Sequence, residues 1–206
     1  MSDSVLLERA PQPAFTIRHA TRADFATIRR HYAAVQDVHA TALPDMFRPM
    51  GEEDFTLDRF EAYLDDTCLL LIAEEGGKPV GSLLASCYAV QASIEYRPGR
   101  AAFIWYVMTE PKVRGRGIAR ALIGAMAEWA ADQQADRIDL AVWHFNADAL
   151  ALYSRLGFAA AFTGMTIAPD QALARWGGGR LPKRPKHPQP PAEPRKRWIP
   201  AWLFGR

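Results

Sequence analysis

Two hydrophobic periods alternate along this chain, and the switches between them mark its elements. "AFTIRHA" (14–20) alternates as a short strand, and "TRADFATIRRHYAAVQDV" then repeats Phe25, Ile28, Tyr32 and Val35 at helical spacing. Thr21, with Asp24 three residues later, is the expected N-cap. Pro44, Pro49 and Gly51 mark "HATALPDMFRPMGEE" as a loop or broken helix, and helical spacing resumes through Phe55, Phe60 and Leu64. "TCLLLIAEE" and "PVGSLLASCYAV" flank "GGK" and predict a hairpin of two largely apolar strands. "AAFIWYVMTE" predicts a further strand, followed by a helix with Ile118, Leu122, Ala125, Met126 and Trp129 on one face. "RIDLAVWHF" reads as a strand, "NADALALYSRLGF" as a helix ended by Gly157, and "AAAFTGMTI" as a last strand. The order is that of a mixed α/β domain.

Composition adds boundaries to this pattern. The 206 residues are 49% hydrophobic and 23% charged, the balance of a globular chain. No apolar window reaches the length of a transmembrane segment, and "MSDSVLLERAPQP" lacks the basic start and apolar centre of a secretory signal, so a cytoplasmic location is expected. Residues 1–174 hold 16 Lys and Arg against 22 Asp and Glu, whereas residues 175–206 hold 9 against a single Glu. The acidic part is expected to fold as one domain over 14–174, after a flexible start at 1–13. The basic, Pro-rich part, 175–206, cannot bury enough apolar surface to hold itself folded, and disorder in isolation is expected. Cys68 and Cys87 sit in apolar runs without CxxC or His pairing; they are expected to be buried structural thiols, and no metal is expected.

Chemistry concentrates in "KVRGRGIARALIGAMAEW" (112–129). A strand entering a helix through small residues exposes the unpaired N–H groups of the first helical turn, and these with the helix dipole attract phosphate. Arg114 and Arg116 add positive charge, and a bare Gly117 lets a pyrophosphate approach the backbone. The nucleoside-triphosphate loop GxxxxGK[ST] is absent. The dinucleotide fingerprint GxGxxG fails after Gly115 and Gly117, because Arg120 stands where Gly or Ala is required.

"RGRGIA" instead resembles the Gln/Arg-x-x-Gly-x-Gly/Ala signature of the GCN5-related N-acetyltransferases, through Arg114, Gly117 and Ala119. Downstream, Asn146, Ala149, Tyr153, Gly157 and Phe158 match the family's Asn-x-x-Ala-x-x-x-Tyr segment ending in Gly-Phe. The resemblance covers roughly residues 14–168 and implies a mostly antiparallel central sheet flanked by helices. It also implies acetyl-CoA as co-substrate and direct attack of an amine on the thioester, without metal or covalent enzyme intermediate. On this reading the pyrophosphate rests on the backbone of Val113, Arg114, Gly115, Arg116, Gly117, Ile118 and Ala119. The pantetheine arm pairs like an extra strand with Val107, Met108 and Thr109, where an N–H donates to the thioester oxygen. Asn146 and Ala149 complete the cofactor side, with Asn146 positioning the arm or the helix that follows. Tyr153 is the candidate general acid for the departing thiolate; packing of its ring at helical spacing is the competing account.

The general base stays open among Glu95, Glu110 and His39. Acceptor specificity is expected from "VHATALPDMFRPMGEEDF" and "AVQASIEYRPGRA", where Asp45, Glu52, Glu53 and Asp54 suit a cationic amine of a small molecule or protein. The tail, with Trp198, Trp202, Leu203 and Phe204 beside its charges, suits an acidic partner or surface, or a second copy of the chain as a homodimer. Two rival functions share the motifs: an acyl-CoA sensor without turnover, and a transferase for a longer acyl-CoA.

Overall fold

The computed structural model describes residues 15–176. These fall into two compact parts, one ending at Leu152 and one beginning at Tyr153. The flexible start expected at 1–13 and all but the first two residues of the basic tail lie outside the described residues.

The first part is built on a five-stranded sheet whose strands lie in sequence order. They are β1 (Thr16–His19), β2 (Cys68–Glu75), β3 (Lys78–Val90), β4 (Gly99–Thr109) and β5 (Arg137–Leu140). The first four pair antiparallel, and β5 joins β4 in parallel. This is the mixed, mostly antiparallel sheet expected. The β2–β3 hairpin closes through Gly76 (φ +56°) and Gly77 (φ +72°), the two positive dihedrals of a tight hairpin turn.

Helix α1 (Phe25–Ala42) enters through a 3-10 turn, Arg22–Asp24, whose Asp24 carboxylate accepts from the Thr21 N–H at 2.7 Å and the Thr21 hydroxyl at 3.0 Å. Arg18 pairs with both Asp24 and Glu74, and this guanidinium holds the Asp24 carboxyl down to about 2. A short α2 (Leu57–Glu61) follows, then α3 (Ile118–Asp132) and α4 (Ala147–Arg155). One face of the sheet packs on α1 and α2 through Ile28, Phe55, Phe60, Leu70, Ile72, Leu84 and Tyr106. α3 covers the other face with Ile118, Leu122, Ile123, Met126 and Ala130. Strand alternation sorts β3 accordingly: Ser82 and Leu84 point to α1, Gly81 to α3. A Cβ at Gly81 would lie 2.8 Å from the Met108 carbonyl and 3.2 Å from Ile118, so glycine there lets the start of α3 seat on the sheet.

The second part holds the end of α4 and a helix α5 (Pro169–Trp176). Gly157 (φ +93°) stops α4 as expected. The Phe158 N–H donates to the Tyr153 carbonyl and the Gly157 N–H to Ser154, with the Tyr153 and Phe158 rings 5.7 Å apart, the contact that accompanies this helix ending.

Four expectations are corrected. The strand read over 137–145 ends at Leu140. The last strand, 159–167, is absent: this segment is exposed and pairs with no described strand, and an apolar run without a ladder partner leaves its backbone to water. α1 runs on to Ala42, four residues past the Val38 at which the helical run is expected to end, so His39 is helical. Both cysteines are free but only half-buried.

Candidate active site

The loop between β4 and α3 begins with a 3-10 turn, Pro111–Val113, in which the Val113 N–H donates to Glu110. Beyond it Gly115 (φ +77°) and Gly117 (φ +84°) turn the chain left-handed, and Gly117 is the N-cap of α3. Neither position crowds: a Cβ on either would meet nothing within 4 Å. Glycine is therefore required by backbone conformation and by whatever approaches from outside, and not by protein packing. The first intrahelical bond runs from the Ala121 N–H to the Gly117 carbonyl at 3.0 Å. The N–H groups of Gly115, Arg116, Gly117, Ile118, Ala119 and Arg120 find no acceptor among the described residues. With the positive end of a fifteen-residue helix behind them, they form a run of unpaired donors suited to a phosphate group.

The arginines contribute unequally. Arg116 is bound through both terminal nitrogens by the Glu75 carboxylate, which depresses the glutamate's pKa and raises that of the guanidinium. Arg114 donates through Nε to the Thr109 carbonyl at 3.3 Å, clasping loop to strand end. Val113 and Ile118 are buried and anchor the two ends of the loop.

A slot opens beside β4. Its pairing with β5 ends at Ile104↔Leu140, while its pairing with β3 continues to Gly81↔Thr109. From Trp105 to Thr109 the β5-side edge of β4 therefore meets no described strand. The register with β3 also slips here: Leu84 faces Tyr106 but Ala85 faces Ile104, leaving Trp105 as the extra residue of a bulge. Its indole donates to the Ser86 hydroxyl at 2.9 Å. Val107, Met108 and Thr109 lie on this open edge, between the bulge and the donor loop.

Under the end of β4 runs a buried polar chain that sequence reasoning missed. His31 on α1 is fully buried, with Nδ1 2.9 Å from Ser82 Oγ and Nε2 3.4 Å from Glu110 Oε1. Ser82 Oγ is also 3.4 Å from the Tyr106 hydroxyl. Burial holds the imidazole below its usual pKa, helped by Arg30 and opposed by Glu110. Nδ1 and the Ser82 hydroxyl share a hydrogen bond, whereas Nε2 approaches Glu110 without forming one and is a buried nitrogen with no hydrogen-bond partner among the described residues. Ser82 pairs with Met108 and the Glu110 N–H donates to Val80, so this chain ties α1 to the strand end where slot and loop meet. Helical periodicity marks His31 only as one polar residue among apolar ones.

The other base candidates separate. Glu95 lies in an exposed loop, its N–H on Ser93 Oγ. His39 donates from Nδ1 to the Val35 carbonyl at 2.9 Å and stands among aromatic rings, 5.3 Å from Phe47 and 5.8 Å from Phe145. Of the acidic residues, Asp54 is held by Arg48 and accepts from the Gly51 N–H, so it is engaged within its own loop.

Asn146 caps α4, its Oδ1 accepting from the Ala149 N–H at 3.2 Å. Tyr153, in the second part, has its phenol pushed up to about 12 by burial.

Comparison with known proteins agrees with this architecture. An uncharacterized N-acetyltransferase of Methanocaldococcus jannaschii is 37% identical over 87 residues, 42% of this chain and only 37% of that protein's length. Among solved structures, a mutant of the BH1408 protein of Bacillus halodurans superposes with a TM-score of 0.70 at 24% identity, covering 74% of this chain and 98% of that one. AAC(6')-Iy, solved with a CoA-containing bisubstrate analogue, gives a TM-score of 0.59 at 18% identity over 75% of this chain and 97% of that one. These two likenesses are of fold. The family-level match is to the acetyltransferase (GNAT) family over residues 35–158, more than half of the sequence. The chain belongs to that family.

Proposed function

We propose that this protein, through a domain spanning 14–174, transfers an acetyl group from acetyl-CoA to a primary amine by direct attack. The observation that carries the reading is the pairing of two unfilled backbone surfaces: the donor loop from Gly115 to Arg120 and the open β4 edge from Trp105 to Thr109. A pyrophosphate and an extended amide-bearing arm, joined in one molecule, match them in order. CoA-bound structures of the fold relative AAC(6')-Iy agree with that assignment.

The co-substrate supplies the activated acyl group. The loop N–H groups and the helix dipole bind its phosphates, and the free N–H groups of the β4 edge orient the arm. A backbone N–H among Val107, Met108 and Thr109 polarises the thioester oxygen. Asn146 acts by capping α4 and so fixing the helix that carries Tyr153. Tyr153 donates a proton to the departing thiolate. With the phenol at about 12 and a free thiol near 8.5, that transfer is uphill by about 5 kcal/mol if only the phenol is desolvated. Desolvation raises the thiol as well, and the gap narrows in the closed site.

Calorimetric titration with acetyl-CoA, followed by a panel of amines with thiol release monitored, tests the reading. Binding with amine-dependent release supports it. Binding without release by any amine supports an acyl-CoA sensor, faster release from longer acyl donors supports the longer-chain transferase, and absence of binding overturns the cofactor assignment.

A further inference from the structure

The β4 slot has two faces, and they differ. On one, α3 seats on the sheet at Gly81, opposite Thr109, and closes the approach at that level. On the other, the last turns of α1 and the loop after it reach the segment that continues past Leu140. There Phe47 meets Trp143 edge-on at 5.2 Å, and His39 lies 5.3 Å from Phe47 and 5.8 Å from Phe145. Because β4 and β5 are parallel, Trp143 and Phe145 lie past Leu140 at the same end of the sheet as Trp105 to Thr109 past Ile104. The aromatic group therefore forms the lip of the slot on its open side.

Two observations point to a ligand at this lip. Trp143 remains 40% exposed and the nearby Met46 51%, an apolar surface that the described residues leave to solvent. His39, with Nδ1–H donated to Val35, keeps a lone pair on Nε2 among these rings, where it can accept from an amine N–H. Of the acidic residues in the loop, Asp54 is engaged by Arg48, while Asp45, Glu52 and Glu53 remain exposed to solvent.

We infer that the amine acceptor is carried on an aromatic body, which stacks on Trp143 and Phe47 while its nitrogen meets His39. The inference rests on the acetyltransferase reading. It narrows the expectation of a cationic amine of a small molecule or protein to one that carries an aromatic group.

The test uses the full chain with acetyl-CoA and four acceptors: phenethylamine, butylamine, spermidine and an aminoglycoside. Phenethylamine is expected to exceed butylamine in kcat/KM about tenfold, the size of one good aromatic contact. Trp143→Ala is expected to abolish that ratio with an unchanged Kd for acetyl-CoA, and Trp143→Phe to keep most of it. Equal rates for the two amines, a preference for spermidine or the aminoglycoside, or a Trp143→Ala effect equal on every amine overturns the inference while leaving the transferase intact. Transfer to aromatic-headed peptides but not to phenethylamine also overturns it, in favour of a protein acceptor. No transfer to any amine despite acetyl-CoA binding overturns both readings.

Discussion

The two walls of the candidate site are made of different material. The donor loop is backbone: from Gly115 to Arg120 its recognition groups are N–H, and its side chains either anchor inward, as Ile118 does, or pair elsewhere, as Arg116 does with Glu75. The aromatic lip is side chain: His39, Phe47, Trp143 and Phe145 meet through their rings. A backbone surface is fixed by dihedral angle and tolerates many residue types, so a family can share it. A side-chain surface changes with every substitution, so it is where one member differs from another.

Substitutions can break that contrast. The largest effect is expected for Gly117→Glu, which sets a carboxylate at the phosphate seat: the Kd for acetyl-CoA, by calorimetry, rises about a hundredfold or more. Normal binding by this variant would move the cradle elsewhere. Tyr153→Phe keeps the ring contact with Phe158 and deletes only the hydroxyl. A fall in kcat of about a hundredfold at constant acetyl-CoA Kd is expected for a lost general acid, whereas a full rate would assign Tyr153 to packing alone. With the phenol at about 12, loss of its proton produces no alkaline limb in kcat below about pH 11.

His31→Ala is expected to cost about 3 kcal/mol in chemical denaturation, because it opens a cavity and removes the shorter of the Ser82 hydroxyl's two hydrogen bonds. Since the folded-state pKa of His31 lies below its unfolded value, its protonation favours the unfolded chain. Stability is retained above about pH 6.5 and declines as pH falls through that value toward the folded pKa. His31→Leu should flatten that decline, and a slope unchanged by it would assign the decline to other groups. Gly117→Ala tests the backbone account most sharply. A Cβ meets no protein atom, so the positive φ alone accounts for a stability loss of about 1–2 kcal/mol, and a separate fall in acetyl-CoA affinity reports the close approach of the phosphates to the bare backbone. The smallest effect is expected for Glu75→Gln, which releases Arg116 and tightens acetyl-CoA binding about two- to threefold, an effect that added salt erases.

The same contrast governs what could be read in advance. Arg114, Gly117 and Ala119, together with the Asn146–Phe158 segment, were legible because a left-handed turn before a helix and a capped, glycine-ended helix leave local marks. Tyr153 was legible as one residue with two roles, and the helix ending supplies the packing one. The strand over 159–167 was misread because alternation shows that a segment suits a sheet without showing that a partner edge is present. α5 carries a local mark, Pro169 at its first position with Asp170 beside it. The aromatic lip left no mark, since Phe47 and Trp143 stand 96 positions apart.

By itself, then, the sequence determined the element order as far as α4, the hairpin at Gly76–Gly77, the phosphate-type loop and the family, each written in short-range spacing that fixes backbone conformation. Only the tertiary structure decided where β5 leaves β4, which residue bulges, that Glu75 occupies Arg116, and that His31 reaches Ser82 and Glu110. Those features arise from contacts between distant segments, where packing and burial select among conformations that local preference leaves equally open.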